Sequence, residues 1–286
     1  MTRVPEVIGV VGAGTMGSGI AQVFAQKGWG VALCDAEAAQ LERALAAIRK
    51  NLNRELEKNR IDLGQRDETL RKIQPQSGLE ALKDATLVVE AVTEDLAAKC
   101  HVFDQLDQIC GPGTILASNT SSISITRLAT KTRRADRVIG MHFMNPVPVM
   151  KLVEIIRGER TSPDTLALVL GWVTRLDKVP VEVNDSPGFV SNRVLMPMIN
   201  EAIFCVFEGV AAPEAVDSVM KLGANHPMGP LALADLIGLD VCLNIMETLY
   251  EGFSDSKYRP CPLLRKMVTA GRLGRKSGEG FYQYSQ

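Results

Sequence analysis

Residues 7–183 alternate short β-rich runs with helical stretches, and this order restricts the possible folds more than any other feature of the chain. Strand–helix–strand repeats require crossovers between parallel strands, and such a sheet is covered by helices on both faces. VIGVV at 7–11 reads as a buried strand. Residues 18–26 follow with Ile20, Ala21, Val23 and Phe24 at helical spacing, and GVALCD at 30–35 is a second strand. The Ala-, Leu- and charge-rich stretch from 37 to about 60 predicts a long amphipathic helix, with a second running to about 72. LVVEA at 87–91 and TILAS at 114–118 flank a helix at 95–109. Strands at 138–141 and 152–156, a helix at 163–176 and a strand at 179–183 complete the alternation. Beyond Asn184-Asp185-Ser186-Pro187-Gly188 no strong β run follows, only helical stretches at 189–207, 213–222, 231–237, 241–253 and 263–270, punctuated by Gly and Pro. A chain of 286 residues suits two domains. The expected division is an α/β domain over 1–184 and an all-helical domain over 185–286.

Gly12-Ala13-Gly14-Thr15-Met16-Gly17 is a GxGxxG turn between the first strand and the first helix. Gly12 permits the tight turn, Gly14 lets the backbone approach a pyrophosphate, and Gly17 allows close helix–strand packing. The helix start at Thr15 and Met16 then offers free N–H groups and a positive dipole end to phosphates. Asp35, 21 residues past Gly14 at the end of the second strand, stands where a ribose-binding acid is expected. The fold class is therefore α/β, a Rossmann-type doubly wound, mainly parallel sheet with a second, all-helical C-terminal domain. A carboxylate at 35 accepts hydrogen bonds from a free 2′-hydroxyl and repels a 2′-phosphate, which favours NAD over NADP. FAD would share the fingerprint, but no further flavin signature accompanies it.

Only three histidines are available for proton transfer. His101 lies in a polar helical stretch and His226 in a turn, whereas His142 directly follows the strand at 138–141. Ligands of open parallel sheets sit beyond the carboxyl ends of the strands, so His142 faces the expected crevice. Glu154, inside the apolar run LVEII, is costly to bury without a partner, and His142 is the partner expected. Such a pair suits a base that takes a hydroxyl proton during hydride transfer, with the carboxylate steadying the ring. A core histidine satisfied by a local carbonyl is the alternative. Ser118-Asn119-Thr120-Ser121-Ser122, after the strand at 114–118, offers hydroxyls for a substrate carbonyl or a nicotinamide amide, or equally a helix cap. Asn192, just past the domain boundary, is placed to reach a crevice from the second domain, or is an ordinary helix asparagine.

Composition excludes several classes of partner. The chain carries 32 Lys+Arg against 33 Asp+Glu, a net charge of −1, and only 5% aromatic residues, which does not suit a nucleic-acid or polybasic membrane binder. Six cysteines show no CxxC and no metal spacing with histidine, so they read as free thiols of a reducing compartment, and no metal site is expected. Residues 7–26 are uncharged for the length of a membrane span, but five glycines together with Thr15, Ser18 and Gln22 make them a poor one. With Glu6 beside this segment it does not read as a signal peptide either, and a cytoplasmic protein is expected.

The motifs GAGTMGSGIAQ, VVEAVTED, ASNTSSISIT, MHFMNPVPVMKLVEII, DSPGFVSNR, MKLGANHPMGPLALAD and GRKSGEGFYQY, in this order from residue 7 to the C-terminus, resemble the short-chain L-3-hydroxyacyl-CoA dehydrogenases, the bacterial (S)-3-hydroxybutyryl-CoA type above all. The resemblance implies an NAD-dependent oxidoreductase interconverting (S)-3-hydroxyacyl-CoA and 3-oxoacyl-CoA, in fatty-acid or butanoate metabolism. It implies His142 as the catalytic base with Glu154 as its partner, and Ser121 and Asn192 holding the reacting oxygen. Asn145 is similar to a residue near the nicotinamide. Glu94, Lys99 and Lys276, otherwise a helix-start carboxylate and two solvated charges, match positions lining the NAD site. Coenzyme A needs cations for its phosphates, and Lys50, Arg54 and Lys58 stand four apart on the long helix, a ladder that could equally be a solvated face. Asn51 stands where some relatives carry a serine near the CoA. The family further implies a homodimer with the helical domain closing over the substrate. The chain resembles the stand-alone cytoplasmic form, without a transit-like leader or a fused hydratase. Two rivals are a dehydrogenase of a non-thioester hydroxy acid and a non-catalytic NAD-binding relative.

Overall fold

Eight strands, β1 (Val7–Val11), β2 (Gly30–Cys34), β3 (Ile73–Gln76), β4 (Leu87–Glu90), β5 (Ile115–Ser118), β6 (Val138–Phe143), β7 (Leu152–Arg157) and β8 (Val179–Asn184), form one sheet among the described residues. Their order is β3-β2-β1-β4-β5-β6-β7-β8 in the computed structural model, which describes residues 7–284. The chain moves outward from β1 to β2 and β3, then returns to the other side of β1 as β4. The strand order therefore reverses at β1, the position where such sheets open a ligand crevice. Every neighbouring pair is parallel except β6 and β7, which are antiparallel. All residues of β4, β5 and β6 are buried, as expected for strands covered on both faces.

The covering helices are α1 (Thr15–Gln26), α2 (Ala38–Glu57), α3 (Leu63–Lys72), α4 (Leu96–Ile109), α5 (Ile125–Ala129) and α6 (Pro163–Arg175). α2 buries Leu41, Ala44, Ile48 and Leu52, a single stripe at helical spacing, and leaves its charged face to solvent. α1 is buried on almost every side, from Gly17 to Ala25, because it lies on the sheet beneath α2 and α3. Phe24 at its end meets Trp29 edge to face at 5.4 Å. Each such fully buried large side chain contributes roughly 1.5–3 kcal/mol. β3 was not expected: IQPQ has one apolar residue and a proline. It forms because it is the sheet edge, where a missing N–H at Pro75 leaves no ladder bond broken on the open side.

The chain divides between Asp185 and Ser186 into two units. Residues 1–6, Glu6 among them, and 285–286, which the expected domain limits include, lie outside the described residues. The second unit contains α7 (Ser191–Phe207), α8 (Pro213–Gly223), α9 (Pro230–Ile237), α10 (Leu239–Phe253) and α11 (Pro262–Thr269), with no named strand among its described residues. Met196, Ile203, Leu239, Met246 and Leu264 belong to its own core. Two buried aspartates tie its last segment down. Asp235 accepts the N–H groups of Phe281 and Tyr282 and the Tyr284 hydroxyl, each at 3.0 Å. Asp217 accepts Leu231 N–H at 2.8 Å and the Tyr282 hydroxyl at 2.8 Å. Among the described residues no helix is long and apolar enough to cross a membrane.

Candidate active site

The glycine turn between β1 and α1 is shaped by its backbone. Gly12 has φ of +98°, and a Cβ there would stand 2.6 Å from the carbonyl oxygen of Ala91. A Cβ on Gly17 would overlap the carbonyl oxygen of Gly12, so the helix can approach the turn only without a side chain. At Gly14 a Cβ would meet nothing, which marks open space over the turn. Gly14 is the residue preceding α1 and no side chain caps the helix, so its first amides, at exposed Thr15 and half-buried Met16, are available to an anion.

A cleft of about 730 Å³ runs from Gly12 and Gly14 past Asp35 and Gln40 to Val92 and Thr93. Asp35 stands at its rim. One carboxylate oxygen accepts Ala13 N–H at 2.7 Å and the other accepts Glu37 N–H at 3.0 Å, which locks the side chain beside the glycine turn. Cys34 also lines this cleft, but burial, with smaller contributions from Cys110, Glu80 and Asp35, pushes its thiol up to about 12. It is an apolar wall and not a nucleophile.

His142 and Glu154 face each other across the antiparallel β6–β7 pair, in register. The ring Nδ1 lies 2.8 Å from Oε2 of Glu154, and the residues are only 8% and 2% exposed. An ionised carboxylate only accepts, so Nδ1 carries the proton and the basic lone pair falls to Nε2. His142 was expected just after a strand ending at 141. It lies inside β6, because pairing with β7 extends the strand to Phe143. Asn145 is exposed in the following loop. Asn119, in the serine-rich loop after β5, ties that loop to β6 by accepting Phe143 N–H at 2.9 Å.

Glu94 organises the same loop. One of its oxygens accepts the Thr120 hydroxyl at 2.6 Å, Ser121 N–H at 2.9 Å and Ser122 N–H at 3.2 Å, and the Ser121 hydroxyl at 3.2 Å. Burial pushes the Glu94 carboxyl up, but the Lys99 ammonium and the bonds from Thr120 and Ser121 outweigh it and hold the group below its usual range. Lys99 is buried, not solvated, and its Nζ stands 3.3 Å from Glu94 and 2.7 Å from Glu90. Glu90 was not singled out in the sequence. A carboxylate closing an apolar strand run is the same signal that drew attention to Glu154, and it was there in LVVEA.

Lys50 and Arg54 line an open depression of about 680 Å³ on the outer face of α2, together with Arg49, Asn53, Glu42 and Glu57. Lys58 is exposed and caps the C-terminal end of that helix. Asn51 points elsewhere: its amide faces α1 and donates to Gln22 at 3.4 Å, so it does not join the cationic ladder. In the second unit, Asn192 is buried in the first turn of α7. Lys276 donates to Asp240 at 2.6 Å.

Two family models account for nearly the whole chain: the NAD binding domain of 3-hydroxyacyl-CoA dehydrogenase over residues 7–186 and the C-terminal domain of the same family over residues 188–284. The chain belongs to the 3-hydroxyacyl-CoA dehydrogenase family. It is 58% identical over 277 residues to a probable 3-hydroxybutyryl-CoA dehydrogenase of Bacillus subtilis, covering 97% of this chain and 96% of that one. It is also 40% identical to the mitochondrial hydroxyacyl-coenzyme A dehydrogenase of Sus scrofa, covering 96% of this chain and 90% of that one. The crystal structure of (S)-3-hydroxybutyryl-CoA dehydrogenase from Ralstonia eutropha superposes with a TM-score of 0.96 at 50% identity, covering 99% of this chain and 100% of that one. The cofactor of this dehydrogenase family is NAD, and the residues present fit it: the open space over Gly14, the uncapped start of α1 and the fixed carboxylate of Asp35 line one cleft.

Proposed function

We propose that this dehydrogenase interconverts (S)-3-hydroxybutyryl-CoA and acetoacetyl-CoA, with His142 as general base and acid. The observation that carries the reading is the buried 2.8 Å contact between His142 and Glu154 at the carboxyl end of β6. NAD, when bound, accepts the hydride released from C3 of the substrate. His142 takes the C3 hydroxyl proton on Nε2, and returns it when the ketone is reduced. Glu154 holds the ring in the competent tautomer and stabilises the imidazolium that forms. Ser121 and Asn192 orient and polarise the reacting oxygen, a contribution of positioning and electrostatics.

Gly12, Gly14, Gly17 and the start of α1 at Thr15 and Met16 hold the pyrophosphate, and Asp35 holds a ribose and excludes a 2′-phosphate. Asn145, Glu94 and Lys276 complete the NAD site, and Lys99, buried behind Glu94, acts on it through that carboxylate. Lys50, Arg54 and Lys58 take the phosphates of coenzyme A, while Asn51, turned towards Gln22, contributes nothing direct. The 1–184 portion binds the dinucleotide, and the helical portion from 185 closes over the thioester and forms a homodimer. Support for the dimer comes from the apolar surface of the second unit, where Val194, Phe207, Val210, Val219 and Leu222 are exposed. Six free cysteines suit the cytoplasm.

The test is NADH oxidation with acetoacetyl-CoA and with free acetoacetate. Turnover of the thioester alone is expected, and equal turnover of both would select the non-thioester hydroxy-acid reading. His142→Ala is expected to lower kcat by about 10²–10⁴-fold while NADH still binds. Unaltered turnover in that variant would remove the base assignment.

A further inference from the structure

Glu90, at the end of β4, has no solvent exposure, and Lys99 on α4 is 1% exposed. Their side chains meet at 2.7 Å. The remaining capacity of Glu90 is filled by Val92 N–H at 2.7 Å and the Ser118 hydroxyl at 2.6 Å. Ser118 in turn accepts Thr120 N–H at 3.1 Å, which joins Glu90 to the loop that Glu94 organises. Two buried charges persist in a protein only when each is paired and hydrogen-bonded, and here both are. The cluster holds two carboxylates and one ammonium, a net charge of −1. The low-lying Glu94 carboxyl keeps that charge at neutral pH.

The position of this charge relative to the cofactor follows from the sheet. Asp35 ends β2 on one side of the switch strand β1, whereas Glu90, Glu94 and the Ser121 loop follow β4 and β5 on the other. A dinucleotide laid across such a switch point puts its adenosine half on the side of the ribose-binding acid and its nicotinamide half on the opposite side. Oxidised nicotinamide is a cation and the reduced ring is neutral. A fixed negative charge on that side discriminates between them.

Resting on the site reading above, we propose that Glu90 is a positioning residue of this dehydrogenase. It cancels the charge of Lys99 and fixes its ammonium, so that Glu94 faces the nicotinamide half as one net negative charge and favours the oxidised cofactor over the reduced one. Glu90 touches neither substrate nor cofactor; it acts through Lys99 and Glu94.

The experiment measures dissociation constants of the full-length protein for NAD⁺ and for NADH by titration calorimetry. Glu90→Gln keeps the volume and the bond from Val92 but leaves Lys99 and Glu94 to cancel, a net charge of zero. Glu94→Gln makes the same change of charge on a partly exposed side chain, and so serves if the buried substitution fails to fold. The ratio of the NAD⁺ constant to the NADH constant is expected to rise about tenfold in each, the factor that one unit charge gives at about 12 Å and an effective dielectric of about 20. A purely structural anchor would weaken both nucleotides together, and an unchanged ratio overturns the proposal. Asp35→Asn separates the two levels of inference: it should weaken both nucleotides, and if it weakens neither, the assignment of the NAD site itself fails.

Discussion

Replacing Glu154 by glutamine tests what the carboxylate contributes beyond its shape. The amide fills the same volume at a buried position, 2.8 Å from the imidazole Nδ1. It cannot oppose the charge that appears on His142 when the hydroxyl proton arrives. For two unit charges about 4 Å apart at an effective dielectric of about 20 the Coulomb energy is about 4 kcal/mol. That is an upper bound, because water and neighbouring dipoles recover part of it, and about 10²–10³ in kcat is the loss expected. Glutamine can also turn its amide nitrogen towards the ring and select the wrong tautomer, which acts in the same direction. Steady-state kinetics with acetoacetyl-CoA and NADH measure kcat, calorimetry measures NADH affinity, and circular dichroism follows unfolding. NADH binding and the unfolding midpoint should hold while kcat falls. A kcat within threefold of the unsubstituted enzyme would refute the idea that a charged partner supports the base.

Three other outcomes follow from named contacts. Gly17→Ala puts a methyl group onto the Gly12 carbonyl, so the variant should lose about 1–3 kcal/mol in denaturant unfolding and bind NADH weakly; unchanged unfolding would contradict the close helix–turn packing. Asp235→Ala leaves the Phe281 and Tyr282 amides and the Tyr284 hydroxyl without their acceptor, for an expected loss of about 2–4 kcal/mol and faster proteolysis of the C-terminal segment. Glu94 gives a pH dependence with a definite sign. Its carboxyl is held below the ordinary value of 4.5, so the unfolded chain binds its proton first as pH falls. The stability it contributes is complete above that value and is lost as pH drops through the lowered one. Glu94→Gln should therefore flatten the acid limb of unfolding stability, and an identical acid limb in both proteins would refute the assignment.

Local order carried much of the reading. VIGVV followed by GAGTMG and then an apolar helical spacing states strand, turn and helix within twenty residues, because each signal depends on neighbours in the chain. Asp35 was legible for the same reason, since one short crossover separates it from the glycines. β3 was not, because IQPQ has no strand character of its own and becomes a strand only by lying along β2. Glu90 was passed over because its meaning depends on Lys99, which reaches it from a different element. Asn51 was named only by resemblance to a position near the coenzyme A, and its amide donation to Gln22 on α1 depends on how two helices pack, which the chain order does not state.

By itself the amino-acid order determined the alternating α/β domain, the glycine turn with Asp35 at the end of the next strand, and the helical second unit. These follow from short-range periodicity and from residues, glycine above all, whose backbone freedom is intrinsic. The tertiary structure alone decided that β7 runs antiparallel to β6, setting Glu154 in register with His142, and that Lys99 is buried between two carboxylates. The sequence pointed to Glu154 as a carboxylate needing a partner and to His142 as that partner, but sheet register and the Lys99 pairing are settled by which distant segments exclude water from each other.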